Sequence, residues 1–141
     1  MGPLFVPGIP APQGSKSFRG MRNGRGILVE SSRAVGPWRE RVALAAHAHG
    51  WTPGTGPVCV HLEFIRPRPA STPKSRTPAA VKKPDLDKLV RAILDALTGI
   101  AYADDSQVTE IYASKRLAEI GEAPGVRITI TGHRAEETPD A

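Results

Sequence analysis

The chain has 141 residues, one cysteine and a formal net charge of +5 at neutral pH. This length suits a single domain that buries a core without disulfides or structural metal, and the lone Cys59 excludes an internal disulfide. No segment reaches the ~18 consecutive apolar residues of a membrane span, and no signal segment opens the chain, so we expect a cytoplasmic protein.

Positive and negative residues are unevenly distributed along the chain. Residues 1–83 contain 13 Lys and Arg against 3 Asp and Glu, a net +10, whereas residues 84–141 contain 6 against 11, a net −5. A basic surface beside clustered carboxylates is typical of metal-dependent enzymes that act on nucleic acid, because phosphates are attracted while a cation is held at the cleaved bond. On charge alone, a basic composition without nucleic-acid binding remains the alternative.

The first third of the chain predicts short strands, a basic loop and a helix. Residues 4–6 and 27–30 are apolar strand candidates. The Gly-rich, basic segment 10–26 is predicted to be a loop, which either wraps a phosphate backbone or is only solvated. Pro37 suits the first turn of a helix whose apolar stripe ends at Gly50.

A strand and a long basic loop follow. Apolar residues alternate between positions 58 and 65 and predict a strand, on which Glu63 is a candidate to approach the aspartates further along the chain. Residues 66–83 contain six Lys and Arg, four prolines and no acid, so we expect an extended, mobile loop. This loop either closes over nucleic acid or is a tolerated surface insertion.

The clearest helix is predicted from Leu86 onwards. Pro84 marks the point before which the helix cannot extend, Asp85 is a candidate N-cap, and Gly99 is placed to end it in the left-handed conformation. One buried face is predicted by the helical spacing of Leu86, Leu89, Val90, Ile93, Leu94 and Leu97.

The last part of the chain predicts two strands and a tail. Residues 108–116 and 126–131 are strand candidates, joined by a short connection with Gly and Pro, and we expect them to form an antiparallel hairpin. Residues 133–141 are polar and are predicted to fray. The sequence therefore predicts one compact domain over residues 1–132, with two main helices and a C-terminal hairpin.

Five aspartates surround the second helix. Asp85 and Asp87 would diverge by about 200° on a continuous helix, so they converge only if Asp85 is still extended. Asp104 and Asp105 follow the helix closely enough to return towards it. Convergent carboxylates are oxygen ligands for a hard cation such as Mg²⁺ or Mn²⁺, and that chemistry predicts phosphodiester hydrolysis.

Each aspartate also has a purely structural interpretation. In that interpretation, Asp85 is simply a helix cap and Asp95 is simply an ion-pair partner of Arg91. The pair Asp104–Asp105 is then simply part of a turn. The metal site is favoured because the aspartates are clustered and flanked by basic segments.

Two runs of sequence carry a family resemblance. The chain contains PDLDKLVRAILDALTG followed by ADDSQV and a strand, and it opens with FVPGIPAP and a PWRERV helix start. In combination these resemble the RusA family of Holliday junction resolvases, over nearly the whole chain. The resemblance implies that Asp85, Asp87 and Asp105 are catalytic Mg²⁺ (or Mn²⁺) ligands and that Asp104 assists.

The sequence departs from the family pattern at two positions. The family usually has a catalytic lysine where this chain has Arg91, which keeps the charge but does not give up a proton at neutral pH. Lys88 stands where the family often has Asn. Arg91 is therefore a candidate catalytic residue through electrostatic stabilisation.

The resemblance also implies an α/β (α+β) fold with a mixed β-sheet, together with partners and a setting. It implies a homodimer that resolves four-way junction DNA in recombination and repair, in the cytoplasm of a bacterial or phage-infected cell. A branched-DNA-binding module with weakened or lost catalysis is the alternative. The candidate DNA contacts are Lys16, Arg19, Arg66, Arg68, Lys74, Arg76, Lys82, Lys83 and Lys88.

Overall fold

The computed structural model describes residues 2–14, 16–22, 25–30 and 33–132, with side chains described for 2–14 and 33–132. The predicted tail at 133–141 lies outside the described residues. Within these described residues, a short 3-10 helix, Asp105–Gln107, accompanies two α-helices and six strands. In chain order these are β1 (Leu4–Pro7), β2 (Lys16–Arg22), β3 (Arg25–Glu30), α1 (Val35–Ala48), β4 (Val58–Arg66), α2 (Leu86–Leu97), β5 (Val108–Leu117) and β6 (Gly125–Gly132).

The central element is a four-stranded mixed sheet with the order β1-β6-β4-β5. β4 pairs in parallel with β5, whereas β6 pairs antiparallel with both β4 and β1. A parallel pair needs a crossover connection, and α2 lies within the one that joins β4 to β5. The predicted fold class, a single α+β domain with a mixed sheet and two helices, is confirmed.

The expected C-terminal hairpin is wrong. Both strands form, but β4 lies between β5 and β6 and pairs with each of them. The apolar β4 is a central strand, so the backbone N–H and C=O groups at both of its edges need hydrogen-bond partners. The connection 118–124 can pass from β5 to β6 across β4, because that distance is only two strand spacings, about 10 Å.

The expected loop at 10–26 is wrong in part, because it contains β2 and the start of β3. These two strands form a separate antiparallel sheet, with Ser17 opposite Val29 and Arg22 opposite Arg25. The glycine content of this segment suggested an irregular backbone. Pairing of the two strands instead satisfies its N–H and C=O groups through hydrogen bonds.

The hydrophobic core lies between the sheet and the two helices. Trp38 and Val42 of α1, Leu89 and Ile93 of α2, and Phe64 of β4 belong to one buried cluster. The alternation of apolar residues along β4 predicted which of its faces is buried, because alternate residues of a strand point to the same face. In the part of the chain that the structure describes, no helix has the length and apolarity needed to cross a membrane.

The basic segment between β4 and α2 has no helix or strand, as its composition predicts. Arg68 nevertheless organises it. The Arg68 guanidinium donates hydrogen bonds to the carbonyl oxygens of Pro73 and Arg76, both at 2.6 Å, and to Thr77 Oγ1 at 2.7 Å. The mobility of this loop stays a prediction.

Candidate active site

The start of α2 has the backbone geometry that the aspartate motif requires. Asp85 is the N-cap with φ −69° and ψ 142°, an extended conformation, and its carbonyl oxygen accepts the Leu89 N–H at 3.2 Å. Its carboxylate makes no capping hydrogen bond. Asp85 is therefore extended, which is the condition for convergence with Asp87, and it occupies the predicted N-cap position, but the predicted capping by its side chain is wrong.

Three carboxylates line one cavity of about 560 Å³, which we call the acid cavity. Asp87 and Asp95 reach it from α2, and Asp105 reaches it from the 3-10 helix. Arg91 lies between the two helical aspartates because residues four apart share a helix face. The remaining lining residues are Gln13, Gly14, Lys88, Val90 and Leu94.

Asp85 lines an adjoining cavity of about 530 Å³, which we call the basic cavity. Gly14 and Lys88 line both cavities, so the two are contiguous. The structure therefore brings Asp87 and Asp105 to one cavity and places Asp85 next to it. Within residues 2–14 and 33–132, no three His, Cys, Asp or Glu side chains converge closely enough to hold a metal ion by themselves.

A capping box fixes the turn that carries Asp105. The Asp104 carboxylate accepts the Ser106 N–H at 3.0 Å, and Gln107 Oε1 accepts the Asp104 N–H at 2.8 Å. Gln107 Nε2 then donates to the carbonyl oxygens of Gly54 and Gly56, at 2.9 and 2.8 Å. Asp104 and Gln107 thus anchor this turn to the loop before β4 and hold Asp105 at the cavity.

Hydrogen bonds at the Asp104–Asp105 pair shift the pKa values of the two carboxyl groups in opposite directions. The hydrogen bond with Asp104, partial desolvation and the negative charges of Asp104 and Asp95 raise the pKa of Asp105, while Arg91 opposes the rise. Hydrogen bonding from Ser106 and Asp105 lowers the pKa of Asp104. Crowded carboxylates of this kind favour a bound cation, which relieves their mutual repulsion.

The end of α2 sets the path back to Asp105. Gly99 has φ +81°, so the predicted left-handed stop is confirmed. The buried Tyr102 donates its hydroxyl to the Leu94 carbonyl oxygen at 2.8 Å, and burial raises the pKa of that hydroxyl. This packing turns the chain so that residues 104–105 return to the same face of α2 as Asp95.

Lys115 on β5 holds the segment that leads into α2. Its ammonium donates to the carbonyl oxygens of Lys82 and Pro84, at 2.9 and 2.7 Å. It therefore fixes the backbone immediately before Asp85. The sequence carries no local signal for this role, because it depends on the position of β5 beside the end of the basic loop.

Two expected acidic partners are arranged differently. Glu63 does not approach the aspartates, because Arg127 and Arg116 hold it at 2.7 and 3.3 Å on another part of the sheet. Among the described residues, no ion pair within 4.0 Å joins Arg91 to Asp95. Asp95 is instead a site residue that the sequence analysis missed, although its spacing of four and eight from Arg91 and Asp87 was the available signal.

The predicted DNA contacts differ in their surroundings. Arg66 is half-buried, donates to the Pro10 carbonyl oxygen, and has a pKa lowered by burial. Arg68 is bound within its own loop, while Lys88 lines both cavities. The side chains of Lys16 and Arg19 lie outside the described residues. The exposed candidates are Lys74, Arg76, Lys82 and Lys83.

A family model for the endodeoxyribonuclease RusA matches residues 7–131. The chain belongs to the RusA family. A further relative, the uncharacterized protein YqaN of Bacillus subtilis (strain 168), is 35% identical over 124 residues, which cover 81% of this chain and 86% of that protein. RusA membership, predicted from the aspartate motif, is confirmed, and it implies endodeoxyribonuclease activity of a family that acts on branched DNA and generally depends on a divalent metal.

Proposed function

We propose that this protein is a Mg²⁺-dependent endonuclease that resolves Holliday junctions by paired incisions, as a homodimer, in DNA recombination and repair. One observation carries the proposal: in a RusA-family chain, Asp87 and Asp105 line the same cavity, with Asp95 beside them. A symmetric dimer fits the substrate, because a two-fold axis relates the two strands that are cut.

The donor set of the acid cavity fits a hard divalent cation. Mg²⁺ usually takes one or two carboxylates, keeps several waters and completes its shell with substrate phosphate, so it needs no closed cage of three protein ligands. Asp87 and Asp105 would hold it, with Asp85 close by in the basic cavity. When bound, the metal supplies Lewis-acid activation of the phosphoryl group and of water.

The protein's own residues would bind and orient the DNA strand. Lys88 lies where the two cavities meet, and Arg91 lies between the two helical aspartates, so each offers a cation to a phosphate in the acid cavity. Arg91 would contribute electrostatic stabilisation rather than proton transfer, because a guanidinium is not a proton donor or acceptor in catalysis of this kind.

A cleavage assay on a synthetic four-way junction, with and without Mg²⁺, tests this function. We expect cutting of the junction in preference to duplex, flap and single-stranded DNA at the same salt concentration. Asp87→Asn should still bind the junction but cut it about 10²-fold more slowly or worse, because a metal ligand is lost. Glu40→Gln, which removes an exposed carboxylate on α1, is the matched control. Normal cutting by Asp87→Asn would refute the assigned site.

The second candidate function is a branched-DNA-binding module with little or no catalysis. The observation that favours it is Arg91, which replaces the family's lysine at the acid cavity. Under this alternative the native protein binds junctions without cutting them, and Arg91→Lys creates cleavage. Cutting by the native protein in Mg²⁺ would exclude it.

A further inference from the structure

The basic cavity gathers four cations from distant parts of the chain. Arg33 precedes α1, Arg66 ends β4, and Lys83 and Lys88 flank the start of α2. Asp85 is the one acid among the described residues that line this cavity, so their formal charges sum to +3. Arg33 was not among the residues predicted to contact DNA.

None of these four cations forms an ion pair in the described part of the protein. The ion pairs within 4.0 Å among residues 2–14 and 33–132 involve Arg116 and Arg127, and none of the four cavity cations. Arg66 donates to a neutral carbonyl oxygen while half-buried, which leaves its charge without a counterion there. An uncompensated cluster of this kind attracts an anion.

The lining of the basic cavity selects the chemistry of that anion. Apart from its charged residues, the described lining consists of Pro12, Gly14, Ala34 and Pro84 and includes no aromatic side chain. Bases of unpaired strands are usually held by stacking on aromatic rings, whereas phosphates are held by Lys, Arg and backbone groups. The cavity therefore suits a phosphodiester backbone rather than a base.

We propose that the basic cavity binds the DNA backbone phosphate next to the one hydrolysed in the acid cavity. The two cavities share Gly14 and Lys88, so a strand with one phosphate in the acid cavity continues directly into the basic cavity. Arg33 and Lys83 bind the flanking phosphate, and Lys88 lies between the two cavities. This assignment rests on the proposed function for the identity of the strand, while the anion site itself rests on the cavity.

A scan with neutral methylphosphonate linkages tests the proposal. Four-way junctions carrying one such linkage, placed in turn at each phosphate around the branch point, are titrated without metal and then assayed for cutting in Mg²⁺. In the native protein, one position next to the cut should weaken binding about tenfold, which is typical of a charged hydrogen bond. In Arg33→Gln/Lys83→Gln, the same linkage should have no further effect. Arg41→Gln, which removes one exposed charge on α1 outside both cavities, should keep the tenfold sensitivity.

The scan separates this proposal from the proposed function. If the double variant stays sensitive at the same position as the native protein, or if no linkage weakens native binding, the flanking-phosphate site is refuted even though the protein cuts junctions. If the native protein does not cut, the proposed function fails, and the metal-free titrations still decide whether Arg33 and Lys83 hold one particular phosphate.

Discussion

At the scale of single residues, Arg91 combines a position at the acid cavity with an influence on Asp105. It is the cation that opposes the rise in the pKa of Asp105 caused by Asp104 and Asp95. A metal-binding carboxylate has to be ionised, so under the proposed function the charge of Arg91 would favour metal binding by Asp105 as well as substrate binding. Under the proposed function, an arginine at this position would keep the electrostatic effect of the lysine that the family resemblance implies, without its capacity for proton transfer.

Changing Arg91 should move the pH dependence of cleavage in a defined direction. Arg91→Gln removes a positive charge beside Asp105, so the pKa of Asp105 rises further and the acid limb of the rate profile moves to higher pH. Arg91→Lys keeps the charge and should leave that limb in place. Single-turnover rates across the acid range measure both variants. An acid limb that stays in place in Arg91→Gln would show that Arg91 does not act through Asp105.

At the scale of elements, α2 is held at both of its ends by other parts of the chain. Lys115 of β5 binds the backbone just before its first turn, and Tyr102 binds the last turn. The capping box at Asp104 and Gln107 fixes the segment that follows. The acid cavity is thus formed by a helix and a turn whose positions depend on β5 and on the loop before β4.

The contact between β1 and β6 leaves no room for a side chain at Gly125. A Cβ atom there would lie 2.3 Å from the Val6 carbonyl oxygen and 2.7 Å from the Phe5 ring. Gly125→Ala should therefore lower the free energy of unfolding by about 1–3 kcal/mol, the usual cost of overpacking. Gly132→Ala is the matched control, since a Cβ atom there meets nothing within 4 Å. Urea denaturation of both variants measures the difference, and equal stability would contradict so close an approach of β1 to β6.

Local patterns in the sequence predicted α2 well but did not predict the strand order. The start of α2, the extended Asp85 and the stop at Gly99 follow from side-chain period and backbone preference, which are local properties. The position of β4 between β5 and β6 depends on how a buried strand satisfies both of its edges, which is a tertiary property. For the same reason, the sequence indicated Asp87 and Asp105 but not the arrival of Arg33 or Lys115.

At the scale of the whole molecule, folding brings the two unequally charged parts of the chain into contact. The residues before Pro84 supply Arg33, Arg66 and Lys83 to the basic cavity, and the residues after it supply the aspartates of the acid cavity. Under the proposed function, a phosphate backbone would be attracted and hydrolysed in neighbouring cavities. The uneven distribution of charge along the sequence thus corresponds to two neighbouring cavities, one basic and one acidic, which meet at Lys88.

The stability of the whole fold should depend on pH through Glu122. Arg116 of β5 binds both Glu122 oxygens, at 2.6 and 2.7 Å, and also Glu63 of β4, so the network joins neighbouring strands to the connection before β6. The hydrogen bonds from Arg116 lower the pKa of Glu122 to about 2, against 4.5 for an unperturbed glutamate. A lowered pKa contributes stability above pH 4.5, and that contribution is lost as the pH falls from 4.5 towards 2.

Glu122→Gln should therefore be less stable than the native protein at neutral pH, with a difference in stability that narrows below pH 4.5 and closes near pH 2. Urea denaturation midpoints at a series of pH values measure this difference in stability. Glu119→Gln is the control, because it removes a charge from the same turn and leaves the Glu119 N–H that donates to Glu122. It should show little pH-dependent difference from the native protein. A difference for Glu122→Gln that stays constant across this range would mean that Glu122 stabilises the fold through packing rather than through its charge.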